Sequence, residues 1–170
     1  PSDGNFLNNG LMTPDRKPHP HAFEVKKVYQ AIRFAALDIN KSSYVIENLY
    51  DFIDLAQYDL HWKIEADGEL FAQGHQAMPS IKPSKKLAVD LSLPKLPSSD
   101  NKEYFITLSA VLRAPQGLLS TGHELAFEQF KLPVKLSQGK VSPSNIDVAN
   151  TSKMAIEQDS VSALVLKSKD

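Results

Sequence analysis

The sequence of 170 residues is long enough for one domain, or for one domain and part of another, and its formal net charge is -1. This charge balance gives no electrostatic case for binding nucleic acid or an anionic membrane surface, and no apolar run reaches the roughly 20 residues that span a bilayer. The absence of cysteine excludes disulfides and cysteine metal sites, and it leaves the cellular compartment of a soluble protein open.

Residues 1–30 are predicted to form a connector that is partly extended and partly helical. Three prolines fall within residues 14–20, and they predict a stiff, extended backbone without internal hydrogen bonds over residues 13–19. Residues 23–30 then show helical spacing, which predicts a short helix. A stiff connector so near the start of the sequence indicates that another structure precedes it.

Short alternating strands dominate residues 31–135 and predict an all-β fold, an antiparallel β-sandwich. Strict alternation over residues 58–66 is typical of a strand with one buried and one wet face, and it places Trp62 in the core. Asp67-Gly68 predicts a two-residue hairpin that leads to a return strand. The remaining strands are predicted at residues 32–36, 44–48, 86–91, 104–110 and 125–132.

The composition changes after Pro133. Residues 136–153 are rich in serine, asparagine and valine with a glycine and a proline, and they are predicted to be a linker. Residues 154–170 predict one short hairpin, which would be marginal in water by itself. We therefore expect this hairpin to be the first strands of a following domain, and the sequence to be truncated at both ends around one complete sandwich.

The candidate chemical groups do not form a recognisable catalytic motif. His19 and His21 could share one face of an extended segment as a divalent-metal pair, but no third ligand lies at a recognisable spacing. His61 is expected on the wet face of its strand, and Asp59 and Glu65 are expected to be solvated charges. Glycosidases need two carboxylates that flank the scissile bond, and no such pair is evident. The residues alone predict a β-sandwich without an identifiable catalytic site.

Several segments nevertheless resemble one family, the multidomain β-galactosidases of glycoside hydrolase family two. In that family the catalytic barrel ends in comparable motifs, and a short helical stretch then leads into an immunoglobulin-like domain. The matching segments are Asn9-Gly10-Leu11, Asp15–Pro20, Glu24–Gln30, Leu60-His61-Trp62, Asp67-Gly68 and Gly122–Phe130.

The resemblance implies the tail of a catalytic barrel in residues 1–30, an immunoglobulin-like fourth domain in residues 31–135, and the start of a C-terminal β-domain in residues 154–170. The parent enzyme would hydrolyse terminal non-reducing β-D-galactosides with retention, using two glutamates of the barrel. Both glutamates are absent here, so the chain is predicted to be inactive alone. Its role would be to space and orient the neighbouring barrel and C-terminal domain.

The resemblance also implies magnesium and sodium in the parent enzyme. Phe6 matches a phenylalanine whose backbone carbonyl binds sodium, and Asn9 matches an asparagine that reaches the ion and the galactosyl group; oxygen donors suit such hard cations. Neither residue is expected to hold an ion without the barrel, and no cofactor is expected in the fragment. The bacterial cytoplasm or periplasm would be the compartment by resemblance.

Two other functions stay open at this stage. A carbohydrate-binding β-sandwich would expose coplanar aromatic side chains for sugar stacking, and Tyr50, Phe52, Tyr58 or Phe71 could serve. An autonomous hydrolase would require a cleft with paired acids.

Overall fold

The computed structural model describes residues 10–97 and 102–134, together with the backbone of two strands at 154–160 and 163–168. The chain divides into two units, Pro1–Leu136 and Ser137–Asp170. In the described residues, the elements of the first unit are α1 (Pro20–Val28), β1 (Ile32–Asp38), β2 (Ser43–Asn48), β3 (Tyr58–Ala66), β4 (Glu69–Ala77), β5 (Lys86–Asp90), β6 (Tyr104–Leu112) and β7 (Glu124–Leu132), with single 3₁₀ turns at Ile39–Lys41 and Leu55–Gln57. The second unit contains an antiparallel hairpin of β8 (Met154–Ser160) and β9 (Ala163–Ser168).

The first unit is an antiparallel β-sandwich. One sheet has the strand order β1-β2-β5 and the other has the order β4-β3-β6-β7. All of the paired strands run antiparallel. The predicted all-β sandwich with a short helical connector is therefore confirmed, whereas the predicted domain limits stay predictions.

Alternate residues of the strands face inward and form one apolar core between the two sheets. The predicted alternation holds along β3. Along β6 the predicted inward residues are buried, but Thr107 and Val111 are buried too. Along β1 the alternation ends at Phe34, because Ala36 is exposed. Trp62 is half-buried rather than central, so its predicted place in the core is only partly right. The largest buried apolar side chains are Tyr44, Tyr58, Tyr104, Ile32, Ile46, Leu55, Leu60, Ile64, Ile106 and Leu108.

A buried asparagine holds the loops at one end of the sandwich. The side chain of Asn48 is fully buried. Its Nδ2 donates to the carbonyl oxygens of Ile53 and Ile81, both at 2.7 Å, and its Oδ1 accepts from the Tyr50 amide at 2.9 Å. Asn48 therefore binds three backbone groups of two loops, and it is the partner of the Ile53 carbonyl and the Tyr50 amide, while the Ile81 carbonyl also accepts from the Leu55 amide at 3.2 Å.

The chain enters and leaves the sandwich at opposite ends. The Leu49 amide, just after β2, donates to the Ala31 carbonyl just before β1, and the Met78 amide after β4 donates to the Tyr58 carbonyl that opens β3. Asn48, at the end of β2, binds the loops before β3 and after β4, so the starts of β1 and β3 and the finishes of β2 and β4 lie at one end of the sandwich. Since β6 runs antiparallel to β3, it finishes at this same end, where β7 begins. The end of β7 therefore lies at the far end from the start of β1.

The connector contains internal hydrogen bonds, so the prediction that residues 13–19 lack them is wrong. The Thr13 amide donates to the Lys17 carbonyl at 2.8 Å, the Arg16 amide donates to the Thr13 carbonyl at 2.9 Å, and the Lys17 amide donates to the Thr13 hydroxyl at 3.0 Å. Arg16 takes a left-handed conformation with φ 65. The prolines lack donors, but the residues between them still close a tight turn.

The β3–β4 hairpin turns as predicted and then departs from ideal register. Asp67 and Gly68 have φ values of 48 and 84, as a tight hairpin turn requires. Beyond the first two pairs, Phe71 has no partner, and Ile64 pairs with Ala72. Phe71 is therefore the extra residue of a β-bulge, and it shifts the rest of β4 by one residue.

Candidate functional site

The first candidate site is the connector junction, where Lys27 of α1 and Gln30, just after the helix, contact β7. Lys27 Nζ donates to the carbonyl oxygen of Phe127, lies 3.0 Å from Glu128 Oε2, and lies 4.4 Å from the centroid of the Phe127 ring. The Phe127 amide donates to Gln30 Oε1 at 3.2 Å. Both outward-facing backbone groups of Phe127 are thus satisfied by the connector.

The junction matters because α1 has few other means of support. It has nine residues, no side-chain cap at its N-terminus and no buried residue. A helix this short is marginal in water without tertiary contacts. At the same time β7 is an edge strand of its sheet, and unpaired edge groups need partners. The junction therefore stabilises the helix and protects the sheet edge together.

Three apolar side chains of the connector face away from the sandwich. Phe23, Val28 and Tyr29 are exposed by 60%, 72% and 82%. Three exposed apolar side chains on so short a segment are typical of a surface that packs against another structure.

The second candidate site is a groove of about 520 Å³ on the outer face of the four-stranded sheet. His61 on β3 is paired with His75 on β4, and their ring centroids lie 5.3 Å apart. Both histidines are exposed, as predicted for His61. On the next strand the Ser109 hydroxyl donates to Glu124 Oε2 at 2.7 Å. The groove thus brings two imidazoles and one carboxylate to one polar surface.

Two bulges determine which side chains reach this groove. In an unbroken hairpin from Asp67-Gly68, His61 would pair with Gly74 and His75 would face the core. The bulge at Phe71 pairs His61 with His75 instead. A second register shift, between Ala110 and Val111, pairs Val111 with Glu124. Periodicity alone could not find this site, because both shifts interrupt the alternation on which it relies.

Trp62 lies on the opposite face of β3 from His61, packed against the core, and its partner on β4 is a glycine. Gly74 pairs with Trp62, and a Cβ placed on Gly74 would lie 2.5 Å from a ring carbon of the indole. Any larger residue at Gly74 would displace the indole.

The carboxylates of the sheet do not form a catalytic pair. Asp59 accepts from Arg113 Nε at 2.9 Å and from Nη2 at 2.7 Å, and Glu65 lies 3.1 Å from Lys63. In the groove, Glu124 is the single lining carboxylate among the described residues. Asp59 and Glu65 are thus surface ion-pair members rather than isolated solvated charges, and the groove lacks the two acids that hydrolysis requires.

The predicted His19 and His21 pair adopts a different geometry from the groove histidines. The rings stack with an interplanar angle of 12° and a centroid separation of 5.3 Å. His21 Nε2 lies 3.1 Å from the Gly10 carbonyl oxygen, while the buried His19 Nε2 has no hydrogen-bond partner. Within residues 10–97 and 102–134, no group of three or more histidine, aspartate or glutamate side chains could hold a metal ion.

The aromatic residues proposed for sugar stacking do not form an exposed platform. Tyr58 is buried and Tyr50 is half-buried, with their rings tilted against each other. Phe52 is almost fully exposed in a loop, whereas Phe71 lies on β4 in edge-to-face contact with the buried Tyr104. The four aromatic residues therefore have different surroundings. They do not form the set of coplanar, exposed rings that would favour a carbohydrate-binding module.

The predicted sodium ligands, Phe6 and Asn9, lie outside the described residues. A backbone carbonyl and an amide side chain are oxygen donors of the kind that sodium and magnesium prefer. The assignment of these two residues therefore stays a prediction. In the parts of the chain that the structure describes, we find no helix long and apolar enough to cross a membrane.

Comparison with known proteins gives matches along most of the chain. The family model "Beta-galactosidase, domain 4" matches residues 44–133, and the model "Glycosyl hydrolases family 2, TIM barrel domain" matches residues 1–34. The β-galactosidase of Priestia megaterium is 34% identical over 85% of this chain and 14% of its own length. The β-galactosidases of Actinobacillus pleuropneumoniae and Clostridium acetobutylicum are each 33% identical, over 78% and 76% of this chain and 12% and 14% of their own lengths. This chain, which spans about a seventh of the length of these relatives, belongs to the family of β-galactosidase domain 4.

Proposed function

We propose that this chain acts as the rigid spacer between the catalytic barrel and the C-terminal domain of a β-galactosidase. The connector junction carries the proposal. Residues that match a barrel model are joined, through Lys27 and Gln30, to the edge strand of the domain 4 sandwich. A contact of this kind converts a flexible link into a fixed angle between two domains.

Two further observations support a spacer. The chain enters at one end of the sandwich and leaves at the other, so the sandwich separates whatever precedes it from whatever follows it. The exposed Phe23, Val28 and Tyr29 of the connector offer an apolar surface to the preceding barrel. In the absence of paired acids, the sandwich would contribute position rather than chemistry.

The whole protein would hydrolyse terminal non-reducing β-D-galactosides, using two glutamates in the barrel. Phe6 and Asn9 would contribute a carbonyl oxygen and an amide oxygen to a sodium site beside the sugar. Magnesium, when bound in the barrel, would supply positive charge near the reacting sugar. These expectations rest on the family and on the donor chemistry of the two residues.

The first experiment tests whether the chain has activity or sugar affinity by itself. The purified chain is assayed with a chromogenic β-galactoside and titrated with galactose by calorimetry. We expect neither turnover nor saturable binding. Turnover would overturn the spacer function, and saturable binding without turnover would favour the carbohydrate-binding alternative.

The second experiment tests the spacer directly. The 146 residues of this chain that match the Priestia megaterium enzyme replace the corresponding segment of that enzyme. We expect the chimera to hydrolyse the chromogenic substrate, because the sandwich would present the barrel correctly. A chimera that folds, as judged by circular dichroism, but stays inactive would contradict the proposal.

A further inference from the structure

We propose that His61 and His75 form a binding site for a divalent transition-metal ion, such as Zn²⁺ or Cu²⁺, on the outer face of the four-stranded sheet. The two residues are direct partners on β3 and β4. Both side chains are exposed, so an ion can reach them without any opening of the fold.

The geometry of the pair suits chelation of one ion. Imidazole nitrogens bind zinc at roughly 2.0–2.1 Å, so two imidazoles that share a tetrahedral ion have ring centroids about 5 Å apart. The observed separation of the His61 and His75 centroids is 5.3 Å, with an interplanar angle of 36°. A small rotation about the side-chain bonds would therefore bring one nitrogen of each ring to the same ion.

The bulge at Phe71 is an independent indication that the fold specifically places His75 beside His61. Without it, His75 would pair with Leu60 and face the core. Bulges occur often beside functional sites, where they turn a side chain toward a ligand. Here the bulge turns His75 outward and places it beside His61.

The surroundings of the pair favour a cation. Glu124, which lines the same groove, contributes a negative charge and is hydrogen-bonded by Ser109. Lys63 also lines the groove, but its ammonium lies 3.1 Å from Glu65, which offsets its charge. Water would complete the coordination of the ion, because the groove is open to solvent.

The donor set selects the class of metal. Imidazole suits zinc, copper and nickel, with copper bound most tightly, whereas magnesium and calcium prefer oxygen ligands. The proposed site is thus chemically distinct from the magnesium and sodium expected in the parent enzyme. The stacked pair of His19 and His21 is less suitable, because His21 Nε2 already contacts the Gly10 carbonyl.

The test is a calorimetric titration of the chain with ZnCl₂ and, separately, with CuCl₂ and MgCl₂. His61→Gln and His75→Gln remove one imidazole each, and His123→Gln is the matched control outside the pair. We expect one zinc ion per chain and at least about tenfold weaker zinc binding for each of the two groove variants. A residue that binds the metal directly contributes at least as much as a residue that only orients such a ligand, and loss of the latter costs roughly 10–100-fold in affinity. We expect His123→Gln to bind like the unmodified chain, and we expect no binding of magnesium.

A second readout guards against misfolding of the variants. Sub-stoichiometric Cu²⁺ should broaden the imidazole proton resonances of His61 and His75 before those of the other histidines in the unmodified chain. Equal zinc affinity of the unmodified chain and both groove variants, or first broadening at His19, His21 or His123, would overturn the proposal.

Discussion

Lys27→Met should release the connector helix from the sandwich while leaving the sandwich folded. The substitution keeps the length of the side chain but removes the ammonium that contacts the Phe127 carbonyl, the Glu128 carboxylate and the Phe127 ring. A charged hydrogen bond contributes about 1.5–3 kcal/mol, and a partly exposed ion pair or cation–π contact contributes about 0.2–1 kcal/mol. Because one ammonium serves all three acceptors, the loss should be about 2 kcal/mol rather than their sum.

Hydrogen exchange measured by mass spectrometry reports this loss directly. Since α1 has no buried residue, its opening should be controlled by the junction, and about 2 kcal/mol corresponds to roughly 30-fold faster exchange of its amides. Exchange in β3 and β6 should stay unchanged. Lys26→Met is the matched control, because Lys26 lies on the same helix and makes no ion pair in the described part of the chain. Equal exchange of α1 in the Lys27→Met and Lys26→Met variants would refute the reasoning.

Three further changes test the sandwich itself, each by urea unfolding. Asn48→Ala should lower the free energy of unfolding by about 2 kcal/mol, because it leaves the Ile53 carbonyl and the Tyr50 amide without their partner, whereas Asn40→Ala at an exposed position should change it by less than about 0.5 kcal/mol. Gly74→Val should cost about 1–3 kcal/mol and shift the fluorescence of Trp62, which it must displace; an unchanged spectrum would contradict this contact. Burial raises the pKa of Tyr58 to about 12, so stability should be intact below about pH 10 and fall as the pH rises toward 12. Tyr58→Phe should weaken this alkaline fall in the free energy of unfolding. An unchanged fall would show that the Tyr58 phenol does not titrate on unfolding.

The strands and their turns could be predicted because each depends on local pattern. The alternation over residues 58–66 matches a strand with one buried side, and Asp67-Gly68 has the positive φ values that its sequence demands. The prediction of one sandwich followed from many such segments, since two sheets must bury one face each.

The departures come from contacts that local pattern does not contain. The Thr13 hydroxyl donates to the Lys17 carbonyl and accepts from the Lys17 amide, so the proline-rich connector is hydrogen-bonded rather than simply extended. Trp62 lies toward the margin of the core because the register gives it Gly74 as a neighbour. Both candidate sites depend on pairings across the chain, such as Lys27 with Glu128, which no sequence spacing encodes.

The bulge at Phe71 also sets a rule for how the gene of this protein can change in length. Loss of that single codon would remove the bulge and leave the residues from Ala72 onward with the same partners. Loss of one codon between Ala72 and His75 would instead pair His75 with Trp62 and turn it to the inner face of β4. A second one-codon change in the same strand would restore the faces. We therefore expect insertions and deletions within this hairpin to be tolerated at the bulge, in the turn or in compensating pairs, and to be selected against when they occur singly elsewhere in β4.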